Sequence, residues 1–309
     1  QSGYVAYPRS ADEVATLIRF AGQHQIAVVP YGGGTGLVGG QVKEDGPAPL
    51  ILSLEKMTAI RDVFPAENAL VAEAGAILAD VQAAAADVDR LFPLSIAAEG
   101  SARIGGVLST NAGGTGVLRY GHARDLCLGV EAVLPDGSVI HGLRRLRKDN
   151  TGYDLRHLLI GAEGTLGIIT AAALRLVPRP ARVATAFMAV ESPAAAIALL
   201  VRLRRIAGES ISAFELIAGE GLRFLAETHP DTRQPFDTPP KWSVLIDVAT
   251  QADSAPQDLL EAAFAEGFED GLVVDGLVAT SGQPAAEFWA GRETLPEANR
   301  VIGAVVRPG

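Results

Sequence analysis

The sequence predicts an α+β protein built from two consecutive domains, with a boundary close to residue 180. Residues 1–180 are rich in glycine and place short strands between glycine loops. After Pro180 glycine becomes sparse, and longer strands and helices alternate. A chain of 309 residues with 48% apolar residues is long enough for two domains, each with a buried core. We therefore predict one domain over 1–180 and a second over 181–309.

The first domain is expected to begin with a helix. Ser10 followed by Glu13 forms a capping-box pattern, and apolar residues recur on one face over 11–23. Further along, the pattern predicts strands over 26–29, 50–54, 60–64 and 69–73, a helix over 77–86, a hairpin of 128–134 and 138–141, and a strand over 171–177. The stretch 93–125 shows little periodicity, which favours a functional segment ordered by a ligand.

In the second domain strands alternate with longer helices. The predicted strands cover 184–190, 211–217, 242–248 and 272–279, and the predicted helices cover 193–206, 221–228, 256–268 and 287–298. Ser192 is positioned to cap the first of these helices. Two successive β-α-β units predict an antiparallel sheet with helices on one face.

Composition excludes several classes of function. The formal net charge of −10 argues against nucleic acid as a partner, because such proteins usually present a basic face. The single cysteine, Cys127, excludes an intrachain disulfide and metal sites built from several cysteines, and it indicates a reducing compartment. No apolar run approaches the length of a membrane span. We therefore expect a cytoplasmic protein, with peripheral association with a membrane left open.

Three glycine-rich segments of the first domain offer backbone amides without side chains. The first, GGGTG at 32–36, follows an apolar strand and is suited to binding phosphate oxygens. It lacks the Gly-Lys-Ser/Thr of a Walker A loop and the helix start of a Rossmann unit. Taken alone, it could be a flexible surface loop. Similar segments recur at 100–114 and 161–167, so the sequence predicts one extended ligand such as a dinucleotide.

The three segments together resemble one known type of domain. PYGGGTGLVGG (30–40), IGGVLSTNAGGTGVLRYG (104–121) and DNTGYDLRHLLIGAEGTLGIIT (149–170) are similar to the FAD-binding domain of the vanillyl-alcohol-oxidase type, also called PCMH-type. The greatest likeness is to the FAD-linked 2-hydroxyacid dehydrogenases, a branch that includes D-2-hydroxyglutarate and D-lactate dehydrogenases and the glycolate oxidase flavoprotein subunit. The resemblance covers the whole chain and is more specific over 1–180. It implies a PCMH-type FAD-binding domain of two α/β subdomains, followed by a ferredoxin-like substrate (cap) domain.

The resemblance also implies which residues bind FAD. The first segment would hold the pyrophosphate through main-chain amides, the second would line the flavin and ribityl chain, and the third would back the adenosine and flavin. The implied cofactor-binding residues are Pro30, Tyr31, Gly32, Gly33, Gly34, Thr35, Gly36, Pro93, Gly100, Ser101, Ile104, Gly105, Gly106, Thr110, Asn111, Gly113, Gly114, Tyr120, Glu163, Gly164, Gly167 and Ile169. For Asn111 the alternative is a turn former, and for Thr110 a capping hydroxyl. Non-covalent FAD is expected because the first loop has no histidine or cysteine.

For the substrate, the resemblance implies an arginine in a W-x-x-R-E helix. Here the motif reads Trp289 to Glu293, and Arg292 would grip the substrate carboxylate with its planar fork. The alternative is a solvated helix arginine. One turn later some relatives that act on hydroxyglutarate have threonine, whereas this chain has Pro296, which leaves the hydroxy acid open.

The implied activity is the FAD-dependent oxidation of a D-2-hydroxy acid to the 2-oxo acid, by hydride transfer from C2 to flavin N5. Electrons would pass to a separate acceptor such as a quinone or an electron-transfer flavoprotein. A bacterial source and a homodimer are further expectations. The alternatives are an FAD-binding fragment without turnover and a flavin oxidoreductase acting on a non-acid alcohol.

The resemblance leaves the catalytic base outside the sequence. The family's base and metal-binding histidines follow the W-x-x-R-E helix, whereas this sequence stops at Gly309. We therefore expect the C-terminal part to be missing and the base to lie beyond Gly309. A divalent metal, if there is one, would be bound by the same missing segment. No catalytic base and no metal ligand are assigned within the chain.

Overall fold

The computed structural model describes residues 3–43, 45–251, 253–279 and 282–303, and it divides the chain into two compact units. The first unit comprises residues 1–114 and 120–179. The second comprises 115–119 and 180–309, so a short segment of the first half of the sequence belongs with the second unit. Gly309, beyond which we expect the catalytic base, lies outside the described residues.

Residues up to 180 form short strands and helices arranged around two main sheets. In order they are β1 (Tyr4–Ala6), α1 (Ala11–Gln23), β2 (Val28–Tyr31), β3 (Leu50–Ser53), β4 (Ile60–Phe64), β5 (Ala69–Glu73), α2 (Leu78–Ala86), β6 (Arg90–Leu91), α3 (Ile104–Ser109), α4 (Val117–Tyr120), β7 (Cys127–Val133), β8 (Val139–Gly142), α5 (Leu155–Leu159), β9 (Ile168–Arg175) and β10 (Val177–Pro178). The first sheet is parallel, with strand order β1-β3-β2. The second is antiparallel, with strand order β4-β5-β9-β7-β8, and β6 pairs separately with β10. The two sheets correspond to the two expected α/β subdomains.

Helix α1 begins where its capping residues predict. The Ser10 Oγ accepts a hydrogen bond from the Glu13 N–H at 3.2 Å, and the Glu13 carboxylate accepts one from the Arg9 N–H at 2.7 Å. The carboxylate thus reaches back one residue beyond the usual capping box. The buried face of α1, which includes Val14 and Ile18, packs with β3.

The second sheet of this unit supports the larger core. Every residue of β7 is buried, as are the first seven residues of β9, because both strands lie inside the sheet. Helices α2 and α3 pack on this sheet through side chains that include Leu78 and Ile104. Helix α3 begins at Ile104, within the segment 93–125. That segment, whose weak periodicity favours a functional segment ordered by a ligand, contains two short helices, α3 and α4.

The second unit is a four-stranded antiparallel sheet with helices on both faces. Its elements are β11 (Arg182–Val190), α6 (Pro193–Ala207), β12 (Ile211–Ala218), α7 (Gly219–Thr228), β13 (Trp242–Thr250), α8 (Pro256–Glu269), β14 (Val273–Ala279) and α9 (Gly282–Ile302). The strand order is β12-β13-β11-β14. With α6 and α8 as the two connecting helices, this is the expected ferredoxin-like arrangement.

Alternation along β13 separates the two faces of this sheet. Val244, Ile246 and Val248 pack in the cluster that contains α6 and α8. Leu245 instead packs with Phe187 and with residues of α7 and α9. The prediction that all helices lie on one face was therefore wrong, because α7 and α9 cover the face opposite to α6 and α8. Asp247, two residues after Leu245, lies on the α9 side.

Candidate functional site

The first glycine segment lies directly against the second. A Cβ on Gly33 would lie 2.0 Å from the Ser101 carbonyl oxygen and 3.2 Å from the Ala102 Cα. A Cβ on Gly32 would lie 3.5 Å from the Gly106 Cα. The loop after β2 therefore packs backbone to backbone on the residues before α3 and in its first turn, an approach that a side chain at Gly33 would prevent.

The third segment joins the other two. The Gly161 N–H donates to the Leu108 carbonyl oxygen at 3.0 Å, and the Glu163 N–H donates to that of Ser109 at 2.9 Å. Gly164 has a φ of +78°, and a Cβ there would lie 2.6 Å from the Pro30 Cγ. Three segments that are far apart in the sequence thus converge within the first unit.

The amides of the first loop are free to bind a ligand. Within the described part of the chain, no hydrogen bond uses the backbone N–H of any residue from Gly32 to Gly36. The Gly36 carbonyl oxygen accepts from the Gln41 Nε2 at 3.0 Å, so the loop is held through an acceptor rather than a donor. Consecutive open amides suit the oxygens of a pyrophosphate. The donor set therefore fits the phosphate groups of a dinucleotide.

The glycines of the second and third segments serve two different purposes. At Gly105, Gly114 and Gly167, a Cβ would lie less than 3.0 Å from other atoms of the chain, so internal packing alone requires glycine. A Cβ on Gly100 would have no neighbour within 4 Å, and one on Gly106 would have the Gly32 Cα as its nearest neighbour, at 4.0 Å. Gly100 and Gly106 therefore leave space that a ligand could occupy.

Thr110 and Asn111 both have partners in the chain. The Thr110 Oγ1 donates to the Gly106 carbonyl oxygen at 2.9 Å. Asn111 has a φ of +48°, and its Oδ1 accepts from the Arg124 N–H at 3.0 Å. These are the contacts of a capping hydroxyl and a turn-forming amide, the two alternatives given for these side chains.

The other predicted cofactor residues differ in exposure. Pro93, Ile104 and Ile169 are buried, so they would support a bound cofactor by packing. Ser101 and Gly113 are exposed, and Tyr120 is half-buried. The exposed and half-buried residues are the ones able to touch a ligand directly.

An apolar cavity of about 230 Å³ lies beside the converging loops. Pro30, Gly164 and Gly167 line it together with Ile18 and Val28. The α1 side of this cavity was not predicted, because the apolar face of α1 has the periodicity of an ordinary core helix.

In the second unit, Arg292 forms an ion pair with Glu215 of β12. Its Nε and Nη2 donate to the Glu215 Oε2 at 3.0 and 2.6 Å. The two side chains are 28% and 26% exposed. Arg292 is therefore held in a fixed, partly buried position and is not a fully solvated helix arginine.

A second polar group lies on the same face of this sheet. The Asp247 carboxylate accepts from the Thr185 Oγ1 at 2.6 Å and from the Trp289 Nε1 at 3.0 Å. Burial raises the pKa of this carboxyl, although both hydrogen bonds oppose the shift. Sequence reasoning missed Asp247, and the signal was an acidic residue inside the apolar strand WSVLIDVAT.

Metal and thiol chemistry find little support among the described residues. No group of three or more histidine, cysteine, aspartate or glutamate side chains there is arranged to hold a metal ion. Burial raises the pKa of the Cys127 thiol to about 12, which makes it a poor nucleophile.

None of the helices in the described ranges combines the length and apolar composition needed to cross a bilayer.

Comparison with protein families identifies the class to which this fold and these loops belong. Residues 2–142 match the FAD binding domain, and residues 179–307 match the C-terminal domain of FAD linked oxidases. The chain carries both of these domains, which confirms the predicted relationship and fold class.

Among characterised proteins, the chain is similar to D-2-hydroxyglutarate dehydrogenases. It is 37% identical over 300 residues to the mitochondrial enzyme of Arabidopsis thaliana, a match that covers 97% of the chain and 53% of the relative. It is 36% identical to the D-2-hydroxyglutarate dehydrogenase of Xanthomonas citri pv. viticola, covering 95% and 61%. A D-2-hydroxyglutarate–pyruvate transhydrogenase of Saccharomyces cerevisiae is 32% identical, covering 99% and 62%. The chain thus spans little more than half the length of these relatives.

Solved structures share the fold at lower sequence identity. Alkyldihydroxyacetonephosphate synthase superposes with a TM-score of 0.71 at 19% identity, covering 96% of this chain and 58% of that one. p-Cresol methylhydroxylase with substrate bound gives 0.68 at 18% identity, covering 94% and 60%. These likenesses confirm the PCMH-type fold. They do not test whether a C-terminal part with a base and metal ligands follows Gly309, so that expectation stays a prediction.

Proposed function

We propose that the protein is an FAD-dependent dehydrogenase that oxidises a D-2-hydroxy acid, of the D-2-hydroxyglutarate or D-lactate class, to the 2-oxo acid. The observation that carries the proposal is the convergence of three glycine segments around the open amides of residues 32–36. The names of the relatives supply D-2-hydroxyglutarate as a substrate, and D-lactate comes from the resemblance of the sequence to the wider branch.

FAD would be held by groups of the first unit. The amides of Gly32 to Gly36 would bind the pyrophosphate, and the apolar cavity beside Pro30 and Gly164 would receive the adenine. When bound, FAD supplies the two-electron oxidation that protein side chains lack. We propose non-covalent binding, because the first loop offers no histidine or cysteine and Cys127 is buried.

The substrate carboxylate would be bound by Arg292. Its guanidinium uses Nε and Nη2 toward Glu215, which leaves the edge formed by Nη1 and Nη2 for a second carboxylate. A bidentate contact of this kind fixes both the position and the orientation of an acid. The choice between hydroxyglutarate and lactate would depend on groups around the remainder of the substrate.

The purified protein tests the cofactor assignment. We expect absorption bands near 375 and 450 nm, roughly as for any protein-bound flavin, and release of the flavin into the supernatant on acid precipitation. A colourless protein that takes up no added FAD would contradict the proposal. Colour that stays with the precipitate would contradict non-covalent binding alone.

Turnover tests the substrate assignment. The flavin-loaded protein is mixed with D-2-hydroxyglutarate or D-lactate and a dye acceptor, with the L-enantiomers as controls. We expect reduction with at least one D-acid, and a raised KM for that acid in Arg292→Ala. A flavin-loaded protein without turnover would favour the alternative of FAD binding alone. An unchanged KM in Arg292→Ala would favour a non-acid alcohol as substrate.

The electron acceptor and cellular location are further parts of the proposal. We propose a separate acceptor, either a quinone or an electron-transfer flavoprotein, and the name of the yeast relative adds pyruvate to the acceptors worth testing. A cytoplasmic location is proposed from the single reduced cysteine, whereas several relatives are named as mitochondrial. Fractionation of cells expressing the full-length protein distinguishes the two locations.

A further inference from the structure

The carboxylate of Glu215 occupies one edge of the Arg292 guanidinium. Arginine has two edges that can bind a carboxylate side by side, one formed by Nε with Nη2 and one by Nη1 with Nη2. Glu215 takes the first, at 3.0 and 2.6 Å through its Oε2. Among the described residues, no hydrogen bond involves Nη1, so the second edge stays open.

Two contacts fix the helix that carries Arg292. Trp289 lies one turn before Arg292 on α9, and its indole N–H donates to Asp247 of β13. In the sheet, Asp247 pairs with Ala213, two residues before Glu215 on β12. Helix α9 is therefore attached to two adjacent strands, once by an indole and once by a guanidinium, and both attachments lie on the same face of the sheet.

From this geometry we infer that Glu215 is a positioning residue, which fixes the Arg292 guanidinium so that its open edge faces an incoming carboxylate. The inference rests on the proposed role of Arg292 in substrate binding. A free arginine side chain samples many rotamers, and a partner that selects one of them in advance lowers the cost of ordering it on binding. Glu215 can do so because it belongs to a strand that the sheet already holds in place.

The pair is poorly suited to a purely structural role. Both side chains are more than a quarter exposed, and ion pairs of this exposure contribute little to stability. Removing the Glu215 carboxylate should therefore affect binding of an acid much more than folding. Coulomb repulsion between Glu215 and a substrate carboxylate would weaken binding, so removing Glu215 would then lower KM. The direction in which KM changes in Glu215→Ala therefore distinguishes a positioning role from repulsion.

The test is a double-mutant cycle on the flavin-loaded protein, with KM and kcat measured for the D-2-hydroxy acid that it oxidises. We expect Glu215→Ala to raise KM about tenfold and to change kcat much less, because only the orientation of the binding group is lost. Glu215→Gln, which keeps an oxygen that accepts from Nε, should stay within about threefold of the wild-type KM. In the Arg292→Ala background, Glu215→Ala should have no further effect on KM.

The matched control is Glu287→Ala. Glu287 also lies on α9 and pairs with an arginine, Arg233, at 2.7 Å, but the pair involves neither Arg292 nor Glu215. This variant should leave KM unchanged. Circular dichroism and the ratio of flavin to protein report whether each variant is folded.

Each outcome bears on a separate claim. If Arg292→Ala raises KM and Glu215→Ala leaves it unchanged or lowers it, the positioning inference is overturned while the proposed function stands. An additional rise on adding Glu215→Ala to Arg292→Ala would likewise overturn it, since the effect would not pass through the arginine. If Arg292→Ala itself has no effect on KM, the result contradicts the proposed role of Arg292 in substrate binding, on which the inference about Glu215 rests.

Discussion

Replacing Gly106 by alanine should stabilise the apoprotein and weaken its binding of FAD. Gly106 lies inside α3, and an added Cβ would have the Gly32 Cα as its nearest neighbour, at 4.0 Å. The methyl group therefore fits the protein without strain. Glycine inside a helix is less favourable than alanine by about 0.5–1 kcal/mol, so the variant should gain stability of that order.

The same methyl group would occupy space next to the open amides of the first loop. If FAD lies there, the methyl overpacks the contact, which typically costs about 1–3 kcal/mol. At about 1.4 kcal/mol for each factor of ten, the dissociation constant for FAD should rise about fivefold to 140-fold. Stability and affinity thus change in opposite directions.

Two measurements on the apoprotein check this prediction. Urea unfolding gives the change in stability, and quenching of flavin fluorescence on titration gives the affinity. Gly221→Ala is the control, since Gly221 lies in α7 of the other unit and a Cβ there would make an ordinary 3.4 Å contact with the Leu295 Cδ2. It should be stabilised similarly without a change in FAD affinity. A folded Gly106→Ala protein with wild-type FAD affinity would refute the assignment of this space to the cofactor.

Individual side chains give three further predictions. Gly105→Ala should destabilise the protein by about 1–3 kcal/mol in urea unfolding, because its Cβ would lie 2.8 Å from another Cβ; a stability within 0.5 kcal/mol, roughly, would contradict the packing. Burial raises the pKa of Asp247 in the folded protein. The folded state therefore favours the protonated carboxyl, and the stability that this contributes at low pH is lost as the pH rises through the raised pKa. Asp247→Asn should therefore unfold at higher urea than wild type at about pH 8, since the Thr185 hydroxyl can accept from the new amide, and the advantage should shrink toward about pH 4, near the ordinary pKa of aspartate. Cys127, whose pKa is raised to about 12, should react with a thiol reagent at about pH 8 only after unfolding, and rapid labelling of the native protein would show that it is exposed.

The sequence predicted the longer elements because their signals are local. Helix α1 matches its predicted range of 11–23, since a capping pair and an apolar face both lie within it. Strands β4 and β5 also match, because two short runs with apolar residues are joined through the turn residues Pro65, Glu67 and Asn68. By contrast β1, β6 and α5 were missed. Strands β1 and β6 have only three and two residues, too few for a period to show, and the five residues of α5 make little more than one helical turn.

The partners within the candidate site could not be predicted in the same way. The motif around Arg292 identified that residue as a binding group, but its partner Glu215 is 77 residues away in the sequence. Only the register of β12 against β13 brings Glu215 and Asp247 to the same face of the sheet. Register depends on side chains along both strands, and a single sequence does not state which strands pair.

The number of glycines is by itself a weak argument for FAD. In the first loop, Gly33 is required by the carbonyl oxygen of Ser101, and Gly34 by its φ of +70°. Those two residues would be glycine whether or not a ligand were present. What internal packing leaves unexplained is a run of amides from Gly32 to Gly36 without acceptors in the described chain, beside the open space at Gly106. Gly34 and Gly36 are exposed to water, but Gly32, Gly33 and Thr35 are half-buried. Half-buried amides usually have acceptors, so these three unused donors, more than the glycine content, favour an anionic ligand at this place.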